Sequence, residues 1–195
     1  MGAIIQTSSQ PASAQVLEID YIGFADVPRR NIMQEFLEVP AMVMAMGLPL
    51  KQRMLEIGCG QGIVLPPLFQ LSKPTRLVGI DIDEFLIRAA SKRLQQRRVP
   101  AELYVRDVRK MPFPDESFDA IIDFGTCYHI SHRLKALKEI ARVLSPGGIF
   151  VYETRINQFL SHPVRSFGRT LPWHLVPSMK FQRWAFMWAS RIKVE

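Results

Sequence analysis

The sequence has two cysteines in 195 residues, Cys59 and Cys127, with no Cys-x-x-Cys pair and no His/Cys cluster. A disulfide scaffold and a structural zinc site are therefore excluded as the basis of the fold, and no metal is expected. No apolar run reaches the roughly 18 residues of a membrane span. The N-terminus lacks the basic start and long apolar stretch of a secretory leader. Met1-Gly2 is followed at position six by Gln6 rather than Ser or Thr, which argues against myristoylation. These absences point to a reducing, cytoplasmic setting. Acidic residues are scarce at one end: residues 155–195 hold seven basic side chains against Glu195 alone, whereas residues 1–154 hold 18 basic and 17 acidic ones. The net charge of +7 thus belongs mainly to the C-terminal segment.

What is present is ordinary for a folded enzyme-sized domain. Apolar residues make up 48% and charged ones 22%, close to average globular usage, and the length suits one domain. Residues 1–15, rich in Ser, Gln and Ala, read as a flexible arm. Residues 16–50 read as a helical cap, with two short amphipathic helices between 29 and 47, broken at Pro40, stopped at Gly47 and rich in methionine. From Arg53 to residue 154 short apolar runs alternate with helical ones, the signature of βαβ units around a buried parallel sheet. The expected strands are Met54–Ile57, Arg76–Ile80, Glu102–Arg106, Phe118–Phe124 and Ile149–Glu153. The expected helices lie at 63–71, 84–98 and 132–144. Asp83 is read as capping the second helix and Ser131 the third. The third is expected to bury Leu134, Leu137, Ile140, Ala141 and Leu144 and to close with Ser145-Pro146-Gly147-Gly148. Pro66 and Pro67 are tolerable only in a helix's first turn. The fold class is α/β, a doubly wound, mainly parallel sheet.

The chemistry is concentrated after the first of these strands, in Glu56-Ile57-Gly58-Cys59-Gly60-Gln61-Gly62. Three glycines in five residues allow tight turning and a close approach of ligand to bare main chain. The spacing departs from the Gly-x-Gly-x-x-Gly of dinucleotide folds, and Glu56 would repel a pyrophosphate. A nucleoside carrying a cationic appendage fits better. Asp81 ends the next strand, where a carboxylate can accept from both ribose hydroxyls. Asp107 ends the third, where it could take an exocyclic adenine amine. Because strand ends line the crevice of an open parallel sheet, the chain order gathers Glu56, Asp81 and Asp107 around one adenosine.

The run 53–154 resembles the class I S-adenosylmethionine-dependent methyltransferases, in the small-molecule group that includes ubiquinone/menaquinone C-methyltransferases. The resemblance is carried by Leu55–Gly62, by Val78-Gly79-Ile80-Asp81, by Asp107 ahead of Met111-Pro112-Phe113-Pro114-Asp115-Glu116-Ser117-Phe118-Asp119, and by Leu137–Gly148. It implies S-adenosyl-L-methionine as cofactor and S-adenosyl-L-homocysteine as product. It also implies that Gly58, Gly60 and Gly62, with Cys59, pass under the methionine end. Asp81 and Ile82 would take the ribose side, Asp107 and Val108 the adenine, and Phe124 and Gly125 the sulfonium and methyl.

His129, near Tyr128 and His132, is the candidate base for an acceptor proton. The resulting expectation is methyl transfer by in-line displacement to a small, apolar or lipid-like acceptor. The competing expectation is a regulatory or scaffolding subunit that binds the cofactor without turnover. In residues 155–195, Trp173, Trp184 and Trp188 stand among the basic residues, a pattern suited to peripheral contact with an anionic membrane. Nucleic acid is disfavoured, since no Asn/Asp-Pro-Pro-aromatic motif occurs. The family's last two strands are not evident; residues 180–194 suit either a strand at Arg191–Val194 or a helix.

Overall fold

The computed structural model describes residues 4–6, 31–32, 34–48, 50–127, 129–152 and 191–193. Among the described residues seven strands form one sheet: β1 (Ile4–Gln6), β2 (Arg53–Ile57), β3 (Arg76–Asp81), β4 (Glu102–Val105), β5 (Phe118–Asp123), β6 (Leu144–Tyr152) and β7 (Arg191–Lys193). Their order is β1-β4-β3-β2-β5-β6-β7, parallel except that β7 runs antiparallel to β6. The chain steps outward from β2 through β3 to β4, then returns to the other side of β2 for β5. The winding direction therefore reverses between β2 and β5, and the crevice beyond their C-terminal ends is where such sheets bind ligands.

Helices α1 (Val39–Met46), α2 (Leu65–Ser72), α3 (Glu84–Arg97) and α4 (Arg133–Val143) flank the sheet. Alternate residues of each strand enter opposite cores. Met54, Leu77, Leu103 and Ile122 pack with Val43, Leu65, Leu68, Ile87 and Leu94 on the α1, α2 and α3 side. Leu55, Ile57, Val78, Ile80 and Ile121 pack with Ala136, Ile140 and Val143 of α4 on the other. Both faces are covered, so the central strands read as continuous apolar runs. Truncating a fully enclosed leucine such as Leu68 or Leu94 to alanine costs about 2–5 kcal/mol.

Local sequence explains the helix ends. Asp83 caps α3 by accepting from the amides of Phe85 (2.8 Å) and Leu86 (3.4 Å). Pro66 and Pro67 fall in the first turn of α2, where absent N–H groups cost no helical bond. Arg142 fastens the proline-rich loop between β4 and β5, donating to the carbonyls of Met111 (3.0 Å) and Phe113 (2.8 Å) and to Asp115 (2.7 Å).

Several expectations are corrected. Ile4–Gln6, expected within a loose arm, pair in parallel with β4, as a segment holding the β-branched Ile4 and Ile5 can at a sheet edge. Pro40 does not separate two helices; a π-helical turn over Gln34–Glu38 runs directly into α1, whose first turn holds Pro40. Proline disrupts the i→i−4 bonding behind it, and a widened turn accommodates that. His132, not Ser131, is the N-cap residue of α4, in a left-handed conformation with φ 54°. The buried face of α4 is Ala136, Ile140 and Val143, leaving Leu134 at 69% and Leu137 at 39% exposure. Ser145–Gly148 do not form a separate turn, since β6 begins at Leu144 and takes up these residues in a bulge opposite Phe118 and Ala120. Gly147, at φ 73°, makes that bulge possible. Of the two readings for residues 180–194, Arg191–Lys193 form a strand, and the remainder of 153–190 lies outside the described residues.

Candidate functional site

The glycine turn leaves β2 at the point of reversal. Gly58, Gly60 and Gly62 all hold positive φ, at 63°, 51° and 68°. A Cβ on Gly58 would lie 1.7 Å from Thr126 Oγ1, and one on Gly62 would lie 3.0 Å from the Ala90 Cβ. These two glycines let the turn approach the β5 loop and α3. Gly60 differs: no atom lies within 4 Å of where its Cβ would be. Its N–H donates to Asp81, but the space where a side chain would stand is left open for a ligand.

Two acids stand at this turn. Glu56 is 2% exposed, and its Oε2 has no hydrogen-bond partner among the described residues. Burial pushes its carboxyl well above the ordinary range, and the nearby charges of Asp81 and Asp123 push it further. Asp81, closing β3, accepts from the Gly60 amide through Oδ2 (2.8 Å) and from the Asp83 amide through Oδ1 (2.9 Å). Burial raises its pKa despite these amides. Each oxygen keeps a further acceptor lone pair, a set suited to a vicinal diol. Ile82 beside it is 45% exposed, an apolar surface next to the carboxylate.

Asp107 has a different setting. Its carboxylate is ion-paired with Arg109 at 2.6 Å, and the Arg109 amide also donates to it at 2.8 Å. Burial acts to raise its pKa, but Arg109 more than offsets this and holds it below the ordinary range. Val108 is buried in the α4-side core. Cys59 is buried, and burial first, then Glu56 and Asp81, raise its thiol pKa well above the usual range, which keeps it protonated and unreactive.

Sequence reasoning missed Asp123. This wholly buried residue accepts from the amides of Gly125 (3.0 Å) and Thr126 (2.5 Å) through Oδ1 and from Cys127 (3.0 Å) through Oδ2. It shapes the loop carrying Phe124, Gly125 and His129. An aspartate two residues before a glycine at a strand end is the available signal, because such side chains cap the turn that follows. Phe124 is half-buried, and Gly125 is buried with φ 111°. The His129 amide donates to the Thr126 carbonyl at 3.0 Å, which holds His129 beside the same loop. Tyr128 lies outside the described residues.

A bound S-adenosylmethionine suits this residue set on three counts. The open space at the Gly60 Cβ position admits it, Asp81 offers two acceptors for its ribose, and the buried Glu56 carboxyl, with one oxygen unpartnered among the described residues, favours positive charge. A family profile described as "Methyltransferase domain" matches residues 55–152, half of the chain. The chain belongs to the class I S-adenosylmethionine-dependent methyltransferases. Within this methyltransferase family it is 34% identical over 102 residues to the phthiotriol/phenolphthiotriol dimycocerosates methyltransferase of Mycobacterium tuberculosis, covering 52% of this chain and 37% of that protein. It is also 34% identical over 102 residues to a fatty-acid O-methyltransferase of Mycolicibacterium smegmatis, covering 52% and 36%. The chain thus spans little more than a third of the length of these curated relatives. A crystal structure of a SAM dependent methyltransferase from Aquifex aeolicus matches with TM-score 0.55 and 24% identity, over 66% of this chain and 75% of that one, a likeness of fold alone. Among the described residues no helix is long and apolar enough to cross a membrane.

Proposed function

We propose that this methyltransferase transfers a methyl group from S-adenosyl-L-methionine to a small, apolar or lipid-like acceptor, leaving S-adenosyl-L-homocysteine. The observation that carries this reading is Glu56, buried in the strand that runs into the glycine turn with one oxygen that has no hydrogen-bond partner among the described residues, together with the open space at the Gly60 Cβ position. A sulfonium-bearing nucleoside satisfies both features, since a cation favours the ionised carboxylate and bare backbone admits the ligand. When bound, that cofactor supplies an electrophilic methyl carbon. Asp81 holds the ribose, Ile82 covers its apolar side, and Gly58, Gly60, Gly62 and Cys59 line the methionine end. Phe124 and Gly125 flank the reacting end, and alignment there supplies much of the acceleration. His129 takes a proton from acceptors that must lose one.

The names of the curated relatives, one a fatty-acid O-methyltransferase, support a lipid-like acceptor. Residues 51–154 are the cofactor-binding core and 16–50 the cap on the acceptor side. The basic aromatic segment 155–195 makes peripheral contact with anionic lipid, which co-sedimentation with anionic and neutral vesicles tests. The main reading is tested by calorimetric titration of S-adenosylmethionine and S-adenosylhomocysteine into wild type and Asp81→Ala, followed by labelled methyl transfer to a fatty-acid and lipid-alcohol panel. Binding that Asp81→Ala abolishes, with transfer to a panel member, supports it. Binding without transfer to any acceptor points to the non-catalytic subunit, and no binding by folded wild type removes the reading.

A further inference from the structure

The glycine turn is gripped from outside by the N-terminal cap. Glu35, in the π-helical turn, is a carboxylate with 5% exposure, held between two guanidinium groups of α3. Arg93 Nη1 donates to Glu35 Oε2 at 2.8 Å, and Arg97 Nε lies 2.9 Å from Glu35 Oε1. Arg93 does not stop at the ion pair: its Nε donates at 3.1 Å to the main-chain carbonyl of Gln61. Gln61 is the residue between Gly60 and Gly62, two of the three left-handed glycines of the cradle. Its side-chain Oε1 accepts from Asn31 Nδ2 of the cap at 3.3 Å. The cap therefore reaches Gln61 twice, once directly through Asn31 and once from Glu35 by way of Arg93.

A turn made of glycines has little of its own to fix it. Glycine carries the largest backbone entropy, and Gly60 makes no close contact at its Cβ position. Ties from neighbours decide whether the cradle is formed before a ligand arrives, and a preformed cradle binds more tightly because less ordering remains to be done. The guanidinium is the side chain suited to this task. Its nitrogens point to separate acceptors from one rigid plane, whereas a lysine offers a single point charge.

We propose that Glu35 and Arg93 are positioning residues for the cofactor turn: the Glu35–Arg93–Gln61 relay holds the Gly60–Gly62 peptides in shape and couples docking of the N-terminal cap to filling of the cradle. This inference rests on the reading of the cradle as an adenosyl-cofactor site. Coupling is reciprocal, so a ligand in the cradle tightens the cap as much as the docked cap tightens the ligand.

The test compares wild type, Glu35→Gln, Arg93→Lys and Arg97→Ala by calorimetric titration of S-adenosylhomocysteine, melting temperature and amide hydrogen exchange. Arg93→Lys keeps a cation for Glu35 but loses the second prong on Gln61, and its affinity falls about tenfold with a small change in melting temperature. Glu35→Gln loses affinity to a similar degree. Arg97 meets Glu35 and the Phe36 ring of the cap, so Arg97→Ala lowers the melting temperature while affinity stays within about twofold. In wild type, ligand slows exchange across residues 34–48; in Arg93→Lys it does not. Wild-type affinity in Arg93→Lys, or equal losses in Arg93→Lys and Arg97→Ala with unchanged cap exchange, overturns the relay. Should wild type bind no S-adenosylhomocysteine, the cofactor reading fails separately. The relay is then judged from the Gly60 and Gly62 amides, whose exchange quickens in Arg93→Lys if Arg93 holds the turn and is unchanged if it does not.

Discussion

Arg109 occupies the acceptor positions that Asp107 would offer to an adenine amine. Its main-chain amide (2.8 Å) and Nε (2.9 Å) donate to Oδ1, while Nε (3.0 Å) and Nη2 (2.6 Å) donate to Oδ2. A second prong reaches Ser131 Oγ at 3.2 Å, so Arg109 also links the loop after β4 to the one leading into α4. A neutral amine is a weaker donor to carboxylate than a guanidinium and does not displace it without cost. Replacing Arg109 with leucine is expected to tighten S-adenosylhomocysteine binding about threefold to tenfold by freeing those oxygens. The analogue with hypoxanthine in place of adenine, which presents a carbonyl there, should gain nothing. Calorimetric titration of both ligands decides, and equal weakening of both would make the pair a loop brace with no part in base recognition.

Gly58 and Gly60 share a backbone conformation but not an environment, and alanine at each should fail differently. At Gly58 the new methyl meets Thr126, whose Oγ1 is bonded to the Ile57 carbonyl at 3.2 Å. Either the β5 loop or the turn must move, at a cost of about 3 kcal/mol or more. Gly60→Ala meets nothing, so only the left-handed backbone penalty of about 1–2 kcal/mol applies to stability. Its methyl instead enters the cradle. Urea denaturation should therefore separate the two variants by more than about 1 kcal/mol, while ligand titration finds Gly60→Ala folded and strongly impaired in binding.

The features that could be read from sequence are those in which a local pattern determines the outcome. β2 and β3 are apolar runs that carry Glu56 and Asp81 at or next to their ends, and the glycines after β2 permit the tight, left-handed turn that other residues would resist. Chain order in a parallel sheet then brings the two acids together without any knowledge of contacts. Pairings across the fold were not legible. Nothing in the spacing of Glu35, Arg93 and Gln61 announces their network, and Asp107 gave no sign that a residue two positions away would claim it. Asp123 closes an apolar strand, where an acid reads as the start of a loop rather than as a buried cap. The face of α4 was misassigned because Leu134 and Leu137 fit a helical stripe as well as Ala136 and Val143 do. Apolar character alone does not say which stripe meets the sheet.

Asp123→Asn is expected to unfasten the loop after β5. The carboxylate serves three amides, two at Oδ1 and the Cys127 amide at Oδ2. An asparagine keeps one carbonyl oxygen and sets its NH2 group against at least one N–H in a site with no exposure. Leaving a buried donor unpaired costs about 1–3 kcal/mol, which chemical denaturation would measure. Because Phe124, Gly125 and His129 all follow from this cap, methyl transfer should fall further than cofactor affinity. Affinity and turnover that drop together would instead place the damage in the cradle itself.

Glu56 gives the site a pH dependence whose sign can be worked out. Burial raises its pKa in the folded protein above that of the unfolded chain, near ~4.3, so between those values the folded state binds more protons. Stability of the ligand-free protein therefore falls as pH rises through this window, and Asp81 and Asp123, also raised by burial, act in the same direction. Glu56→Gln removes one contributor and should make the ligand-free protein more stable at about pH 7.5 and its stability less steep with pH. A cationic ligand has the opposite preference: it favours the ionised carboxylate, so binding expels a proton and tightens with rising pH. Titration of S-adenosylmethionine in buffers of different ionisation enthalpy should register that proton in wild type and not in Glu56→Gln. A variant that gains stability yet binds with unchanged affinity and proton release would show that Glu56 does not sense the ligand's charge, and the acid cradle would lose the feature that singles out a sulfonium.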